Sequence, residues 1–271
     1  MKLANLPQPQ HDWPQSWVEA NRYDREESED SVEVTPYGDL YRLRTKLLLD
    51  LLQRYVSVGR AIIDIAAAQG SFTEKFAGLG YRVTWNDIRP ELSQYVALKT
   101  KGLTITYMPG NIFEIDPVLF DAAVACEIIE HVAHPDQFLK RVAQFITPGG
   151  HLVLSTPNGE YFRHTGPVFS DYSDRSQFEK AQFAPNADGH IFLLTRRELV
   201  ELSLAAGLEV VSVELFGNTL LAGHCGLRFV QKLVGSRAGA LAEWLLRYLP
   251  DSLRRRVLSG IVLVARKPGG V

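Results

Sequence analysis

Two aspartates, two histidines and a glutamate are the side chains whose types and spacing could do chemistry in this 271-residue sequence. Asp64 lies in AIIDIAAAQGSFTEKF, Ala61 to Phe76, where an apolar run breaks into small residues and then turns helical. Asp87 closes a second apolar run about 20 residues further on, where an acidic side chain accepts both hydroxyls of a ribose. Glu130 and His131 are neighbours in CEIIEHVAHPD, and His190 follows in NADGHIFLLT. Histidine exchanges protons near neutral pH, so His131 is the first candidate for a base and His190 the second. Each also has a structural reading, His131 orienting a turn through Glu130 and His190 capping or packing ahead of a helix. His131, His134 and Asp136 could be read as metal ligands, but their spacing is not diagnostic and Pro135 reads as a helix start, so no metal is expected.

The elements that must position these groups alternate. Strands are predicted for RAIIDIA, YRVTWND, LTITYMPG, FDAAVACE and GGHLVLSTP, with helices starting at Ser71, Pro90 and Pro135. Alternation of this kind requires crossover connections and gives an α/β fold with a mostly parallel sheet. A further helix is predicted from Thr195 to Ala206, with Thr195 and Glu198 spaced as a capping box and Gly207 as its stop. LEVVSVELF and GIVLVARK complete seven strands.

Residues 1–37 read as a loose N-terminal arm rich in Pro, Gln and acids, with YDREESED, Tyr23 to Asp30, solvated. Residues 38–271 read as one domain, opened by a helix in which Leu40, Leu43, Leu47, Leu48 and Leu51 recur at helical spacing. A net charge of -2 argues against a nucleic-acid binder driven by bulk charge. Cys126 and Cys225 lack CxxC spacing, which argues against zinc and disulfides and fits a reducing cytoplasm. Neither a signal-peptide core nor an apolar run of roughly 20 residues is present, so neither export by that route nor a membrane span is expected.

A turn that carries a pyrophosphate needs glycines so that backbone can approach the diphosphate, and the alanines at 66 and 68 therefore speak against a dinucleotide-dependent dehydrogenase. A ligand without phosphate, such as S-adenosylmethionine, relaxes that demand. Ala66 and Ala68 are then acceptable provided both have negative φ, with Gly70 left for the tightest approach or a positive φ.

Over residues 38–216 the sequence resembles the class I S-adenosylmethionine-dependent methyltransferases, in the branch of ubiquinone-biosynthesis-type O-methyltransferases. DIAAAQG resembles the family's Asp-x-Gly-x-Gly-x-Gly turn, with Asp64 and Gly70 kept and two glycines replaced. WNDIRPEL resembles its second-strand acidic motif and GNIFEID its adenine-closing segment. The Glu-His, Pro-Gly-Gly and Thr-Pro-Asn of FDAAVACEIIEHVAHPDQFLKRVAQFITPGGHLVLSTPN follow in the family's order. The resemblance implies a Rossmann-like three-layer sandwich, its seven-stranded mostly parallel sheet ending in an antiparallel last strand, with a helical insertion between the last two strands. It implies S-adenosyl-L-methionine as cofactor, with Asp87 on the ribose and Ala66 and Gly70 in the turn. Asp64 lies near the amino end of the methionine moiety or caps strand-end amides. Ile88 and Ile112 touch ribose and adenine or simply pack. Asn111 replaces the usual Asp at adenine, and Glu127 joins the cofactor set.

The reaction so implied is in-line displacement of a methyl group onto a small-molecule acceptor, with a hydroxyl oxygen favoured by the resemblance. Residues 158–190, with Tyr161, Phe162, Phe169, Tyr172, Phe178 and Phe183, read as a lid or as a surface excursion. Trp13, Trp17, Tyr37 and Tyr41 could close the site from the other side. Residues 218–257 carry seven basic residues against two acidic ones, interleaved with apolar side chains. They read as amphipathic helices that lie on an anionic membrane or frame a lipid-like acceptor, or as a helical cap or dimer surface with a solvated basic face. The rival to an enzyme is a catalytically silent protein that binds S-adenosylmethionine and presents this segment to a partner.

Overall fold

Seven strands form one sheet in the computed structural model, which describes residues 6–28, 36–182, 189–218 and 241–269. They are β1 (Ala61–Ile65), β2 (Arg82–Asn86), β3 (Ile105–Tyr107), β4 (Phe120–Cys126), β5 (Ile146–Pro157), β6 (Glu209–Asn218) and β7 (Leu258–Arg266). Their order is β3-β2-β1-β4-β5-β7-β6. The first five pair in parallel, and β7 runs antiparallel to both β5 and β6, as the sequence led one to expect. The helices are α1 (Gln15–Glu27), α2 (Pro36–Tyr55), α3 (Ser71–Gly78), α4 (Leu92–Lys99), α5 (Pro135–Gln144), the single turn α6 (Glu179–Gln182) and α7 (Arg196–Ala205).

Strand alternation sorts the core into layers. Ile62, Val83, Ala122, Val124, Val153 and Val264 face one way and pack with Leu48, Leu51 and Leu52 of α2 and Phe72 and Phe76 of α3. Ile63, Ile65, Ala123, Ala125, Leu152 and Leu154 face the other way and pack with α5 and α7 through Phe138, Leu139, Leu199 and Leu202. Local signals act where the sequence put them: Pro135 occupies the first turn of α5, and Thr195 and Glu198 close the capping box of α7.

The N-terminal segment departs from its reading. Residues 15–27 are helical, and the acidic run is not solvated throughout, because Asp24 is wholly buried and Glu27 nearly so. Lys99, at the end of α4 and also wholly buried, explains this: its Nζ donates to both Asp24 carboxylate oxygens, at 2.8 and 3.0 Å, and Tyr95 Oη donates to Oδ2 at 2.7 Å. A buried ammonium requires an equally buried counter-charge. Ser71 ties the same helix to the turn after β1 by donating to Asp24 and Glu27 at 3.0 and 2.8 Å.

Past β5, the chain folds back with Tyr161 buried and with Phe169, Tyr172 and Phe178 packed against Phe192. Residues 241–246 are helical, and a short helix, Asp251–Val257, leads into β7. Residues 183–188 and 219–240 lie outside the described residues, and so do Phe183, Cys225, Arg228, Lys232 and Arg237, as well as the side chain of Tyr37.

Candidate active site

The turn from β1 into α3 has the shape that glycines would favour, but alanines adopt it. Ala66 and Ala68 have φ of 54° and 48°, and Gly70 has 72°. The negative φ expected for the two alanines is therefore wrong: the chain must reverse sharply to start α3 over β2, and left-handed residues do this. Four hydrogen bonds hold the turn: Ala67 N to Asn86 O (2.8 Å), Ala68 N to Asp87 Oδ2 (2.8 Å), Gly70 N to Ala67 O (2.7 Å) and Trp85 Nε1 to Ala68 O (3.0 Å). At Gly70 a Cβ would also come within 2.9 Å of Val96. Each left-handed alanine costs about 1 kcal/mol, so Ala66→Gly and Ala68→Gly are each expected to raise Tm by roughly 2–4 °C. A thermal melt showing no rise would mean the turn is unstrained.

Asp64 ends up 2% exposed and accepts a 2.6 Å hydrogen bond from Thr73 Oγ1. Burial pushes its pKa up to about 7, against the opposing pull of the Thr73 hydrogen bonds and with a smaller push from Asp87. Such a carboxyl holds its proton more tightly folded than unfolded. The stability it confers is complete below about pH 4 and is lost as pH rises through about 7. Asp64→Asn is expected to flatten that dependence and to be the more stable protein at pH 8, by a few kcal/mol. Urea unfolding at both ends of the range checks it.

Asp87, 3% exposed at the end of β2, is fully engaged. Its Oδ1 accepts from Arg89 N and Nε at 2.9 and 3.0 Å, and its Oδ2 from Ala68 N and Arg89 Nη2 at 2.8 and 3.3 Å. The Arg89 side chain, about half exposed, thus occupies the carboxylate that the sequence assigns to a ribose. Beside it, Asn86 Nδ2 donates to Met108 O and Gly110 O, fixing the loop that carries Asn111. Asn111 Oδ1 accepts from Phe113 N at 3.1 Å, which leaves its NH₂ and one lone pair for a base. Ile88 and Phe113 are 49% and 40% exposed at this edge, whereas Ile112 is buried in the core. Phe113 was not singled out in the sequence, although it lies inside the adenine-closing segment GNIFEID.

Glu127 follows β4 with φ of 51°, a second strained position. Its Oε2 pairs with Arg44 Nη1 at 2.8 Å and its Oε1 accepts from Ser155 Oγ at 2.8 Å. Arg44, from α2, was not singled out in the sequence because nothing local marks it. Glu130 is fully buried; Oε2 accepts from Thr156 Oγ1 at 2.9 Å, while Oε1 has no hydrogen-bond partner among the described residues. Burial, with Glu127 close by, pushes its pKa well up.

His131 and His190 come together, ring centroids 5.1 Å apart. His131 Nδ1 lies 3.2 Å from Gly189 O, a carbonyl to which it can donate, and its Nε2 lies 4.0 Å from Glu130 Oε1. Partial desolvation and His131 itself lower the pKa of His190, which favours its neutral form. His134 is elsewhere, 2.8 Å from Glu179, so the His131–His134–Asp136 set is not assembled. Instead, ligand atoms of Glu130, His131 and His190 lie within 4.8 Å of one another, two imidazoles and a carboxylate of the kind that could hold a transition metal. His190 also lines a cavity of about 240 Å³ together with Arg163, His164 and Phe192 among others.

The sheet order places Asp64 and Asp87 on adjacent strands and the histidines beyond the next one, all at the carboxyl edge where such folds hold ligands. A buried acid at the end of β2, a left-handed turn held to it and an apolar ledge at Ile88 and Phe113 fit the ribose, backbone and base of S-adenosylmethionine. This fold and edge define the class of S-adenosylmethionine-dependent methyltransferases. Residues 40–213 match the family described as a methyltransferase domain, and the chain belongs to that family.

Among curated relatives, the chain is 30% identical over 128 residues to a ubiquinone biosynthesis O-methyltransferase of Xanthomonas euvesicatoria, covering 45% of this chain and 54% of the relative. A Photorhabdus laumondii protein of the same name is 32% identical over 129 residues, covering 45% and 53%. The chain thus spans about half the length of the curated relatives it matches. The fold resembles an S-adenosylmethionine-dependent methyltransferase of Mesorhizobium loti, with TM-score 0.55, 17% identity and coverage of 82% and 96%. It also resembles phosphoethanolamine N-methyltransferase 2 of Haemonchus contortus in complex with S-adenosylmethionine, with TM-score 0.57, 17% identity and coverage of 93% and 57%.

Proposed function

We propose that this protein methylates a hydroxyl oxygen of a small-molecule acceptor. The observation that carries this reading is the pair of His131 and His190, ring centroids 5.1 Å apart, with His190 lining the cavity. S-adenosylmethionine, when bound, supplies a methyl group on a sulfonium, and the new carbon–oxygen bond forms as the carbon–sulfur bond breaks. Asp87 would hold the ribose, Asp64 would face the amino end of the methionine moiety, and Ile88 and Phe113 would flank the base. Glu127, neutralised by Arg44, separates these groups from the acceptor side. His131 would accept the proton that the acceptor hydroxyl loses, and the aromatic cluster of Phe169, Tyr172, Phe178 and Phe192 would keep water out.

A silent binding protein remains the second reading, because Arg89 and Ala68 already saturate Asp87. Calorimetry with S-adenosylmethionine and S-adenosylhomocysteine tests the cofactor site that both readings share, and methyl transfer in an acceptor screen that begins with phenols separates the two. Asp87→Ala is expected to weaken both ligands about 100-fold, the loss of two charge-assisted hydrogen bonds. Arg89→Ala is expected to tighten them several-fold by removing the competitor. Unchanged affinity in Asp87→Ala would remove the ribose assignment.

A further inference from the structure

We infer that the cavity lined by His190 binds the carboxylate of a small hydroxy acid, so that the methyl acceptor is an anion. This rests on the methyl-transfer reading for what happens at the hydroxyl, and on the cavity alone for the charge. Two loops form the cavity, one following β5 and the other leading into α7. They are tied to each other: Gly159 N donates to Leu194 O at 2.9 Å, Leu193 N to Pro167 O at 2.8 Å and Phe169 N to Leu193 O at 3.1 Å. Asn158, wholly buried, anchors the first loop, its Nδ2 donating to Arg255 O and Leu258 O at 2.7 Å each. The walls are therefore fixed to the sheet.

The lining divides by chemistry. Pro167, Phe192 and Leu193 are apolar, whereas Arg163, His164 and Thr165 carry hydrogen-bonding groups, and no acid is among the lining residues. Arg163 is exposed and makes no side-chain hydrogen bond or ion pair among the described residues. His164 is held in place: its Nδ1 lies 2.6 Å from Asn158 O, and its ring meets that of buried Tyr161 edge-on, centroids 5.0 Å apart. Acids of the neighbouring segments are engaged elsewhere, Glu160 with Arg255 at 2.7 Å and Glu127 with Arg44 at 2.8 Å. His190 registers these surroundings: burial lowers its pKa most, His131 and His164 lower it further, and Glu127 opposes them.

Charge and size select the ligand. A guanidinium offers paired donors that match a carboxylate, and here it has no internal partner to compete. A phosphate site in such a fold would use the amides of a helix start, and no helix start lines this cavity. Its 240 Å³ fall below the roughly 300–1,000 Å³ of sites for drug-sized ligands, which leaves room for one ring with short substituents against Phe192. His190 belongs to the same lining, and its ring centroid lies 5.1 Å from that of His131. An acid held by Arg163 therefore extends its hydroxyl toward the histidine pair.

The test reads binding first and turnover second. Purified full chain, with and without S-adenosylhomocysteine, is titrated calorimetrically with the hydroxybenzoate isomers and with phenol, their uncharged counterpart. At least one isomer is expected to bind about tenfold more tightly than phenol in about 0.1 M salt. Arg163→Gln is expected to erase that margin while leaving the affinity for phenol and the thermal melt at the parent's values, since the altered side chain is exposed. Arg163→Lys should keep part of the margin. Equal affinities for acid and phenol, absent binding of every isomer, or a margin that survives in Arg163→Gln overturns the inference. Turnover tells the two failures apart. Arg163-dependent binding without methyl transfer upholds the carboxylate site and sinks the methyl-transfer reading, whereas transfer to phenol with no preference for the acids does the reverse.

Discussion

Turnover of the His131→Ala variant, measured with the acceptor found by screening, is expected to fall by about 100- to 10,000-fold while its affinity for S-adenosylhomocysteine stays that of the parent. The split follows from place. His131 lies beyond β4 against His190 and Gly189, whereas the groups suited to the cofactor lie on β1 and β2. Its Nδ1 lies 3.2 Å from the Gly189 carbonyl and its Nε2 4.0 Å from Glu130 Oε1, and removing the ring removes the proposed proton acceptor. Imidazole added to the buffer should restore part of the lost rate, which a merely structural histidine would not allow. Equal turnover of variant and parent would reject the role and leave His190 as the base.

The second large effect belongs to stability. Asp24→Ala is expected to lower unfolding free energy by about 3–5 kcal/mol, because it strands the Lys99 ammonium in a place without water. Tyr95 would lose its acceptor in the same step, and Ser71, which keeps Glu27, would lose one of two. Since Ser71 opens α3 directly after the left-handed turn, cofactor affinity should drop together with stability. Replacing both partners, Asp24→Leu with Lys99→Met, should recover most of the stability, because neither charge is then buried alone. Denaturant titrations of the two variants distinguish a stranded charge from lost packing; equal losses in both would favour packing.

These effects also show what a sequence exposes. The sheet was legible because β1, β2, β4 and β5 are short apolar runs between helix starts, and periodicity is a local property. The places of Asp64, Asp87 and the Glu130–His131 pair at strand ends were legible because each ends or follows an apolar run. Asp24 was not: a buried acid and a solvated acid look alike when the partner, Lys99, lies 75 residues away. The sign of φ at Ala66 and Ala68 was hidden too, since alanine gives no hint of a left-handed position that glycine would announce. Arg44 and Arg89 were missed for a third reason. Their importance lies in which carboxylate they meet, and tertiary packing decides that.

One pairing at the sheet edge has a wider consequence. Asn218 and Leu258 are cross-strand neighbours, so the forty or so residues between them form a closed excursion whose ends the sheet already holds together. Loop-closure entropy grows only with the logarithm of length, so such an excursion can be shortened, lengthened or exchanged at small thermodynamic cost. The part of the chain suited to the cofactor lies on the other half of the sheet and is indifferent to that exchange. A graft between β6 and β7 that keeps Asn218 and Leu258 is therefore expected to leave the pairing and register of the sheet as they are.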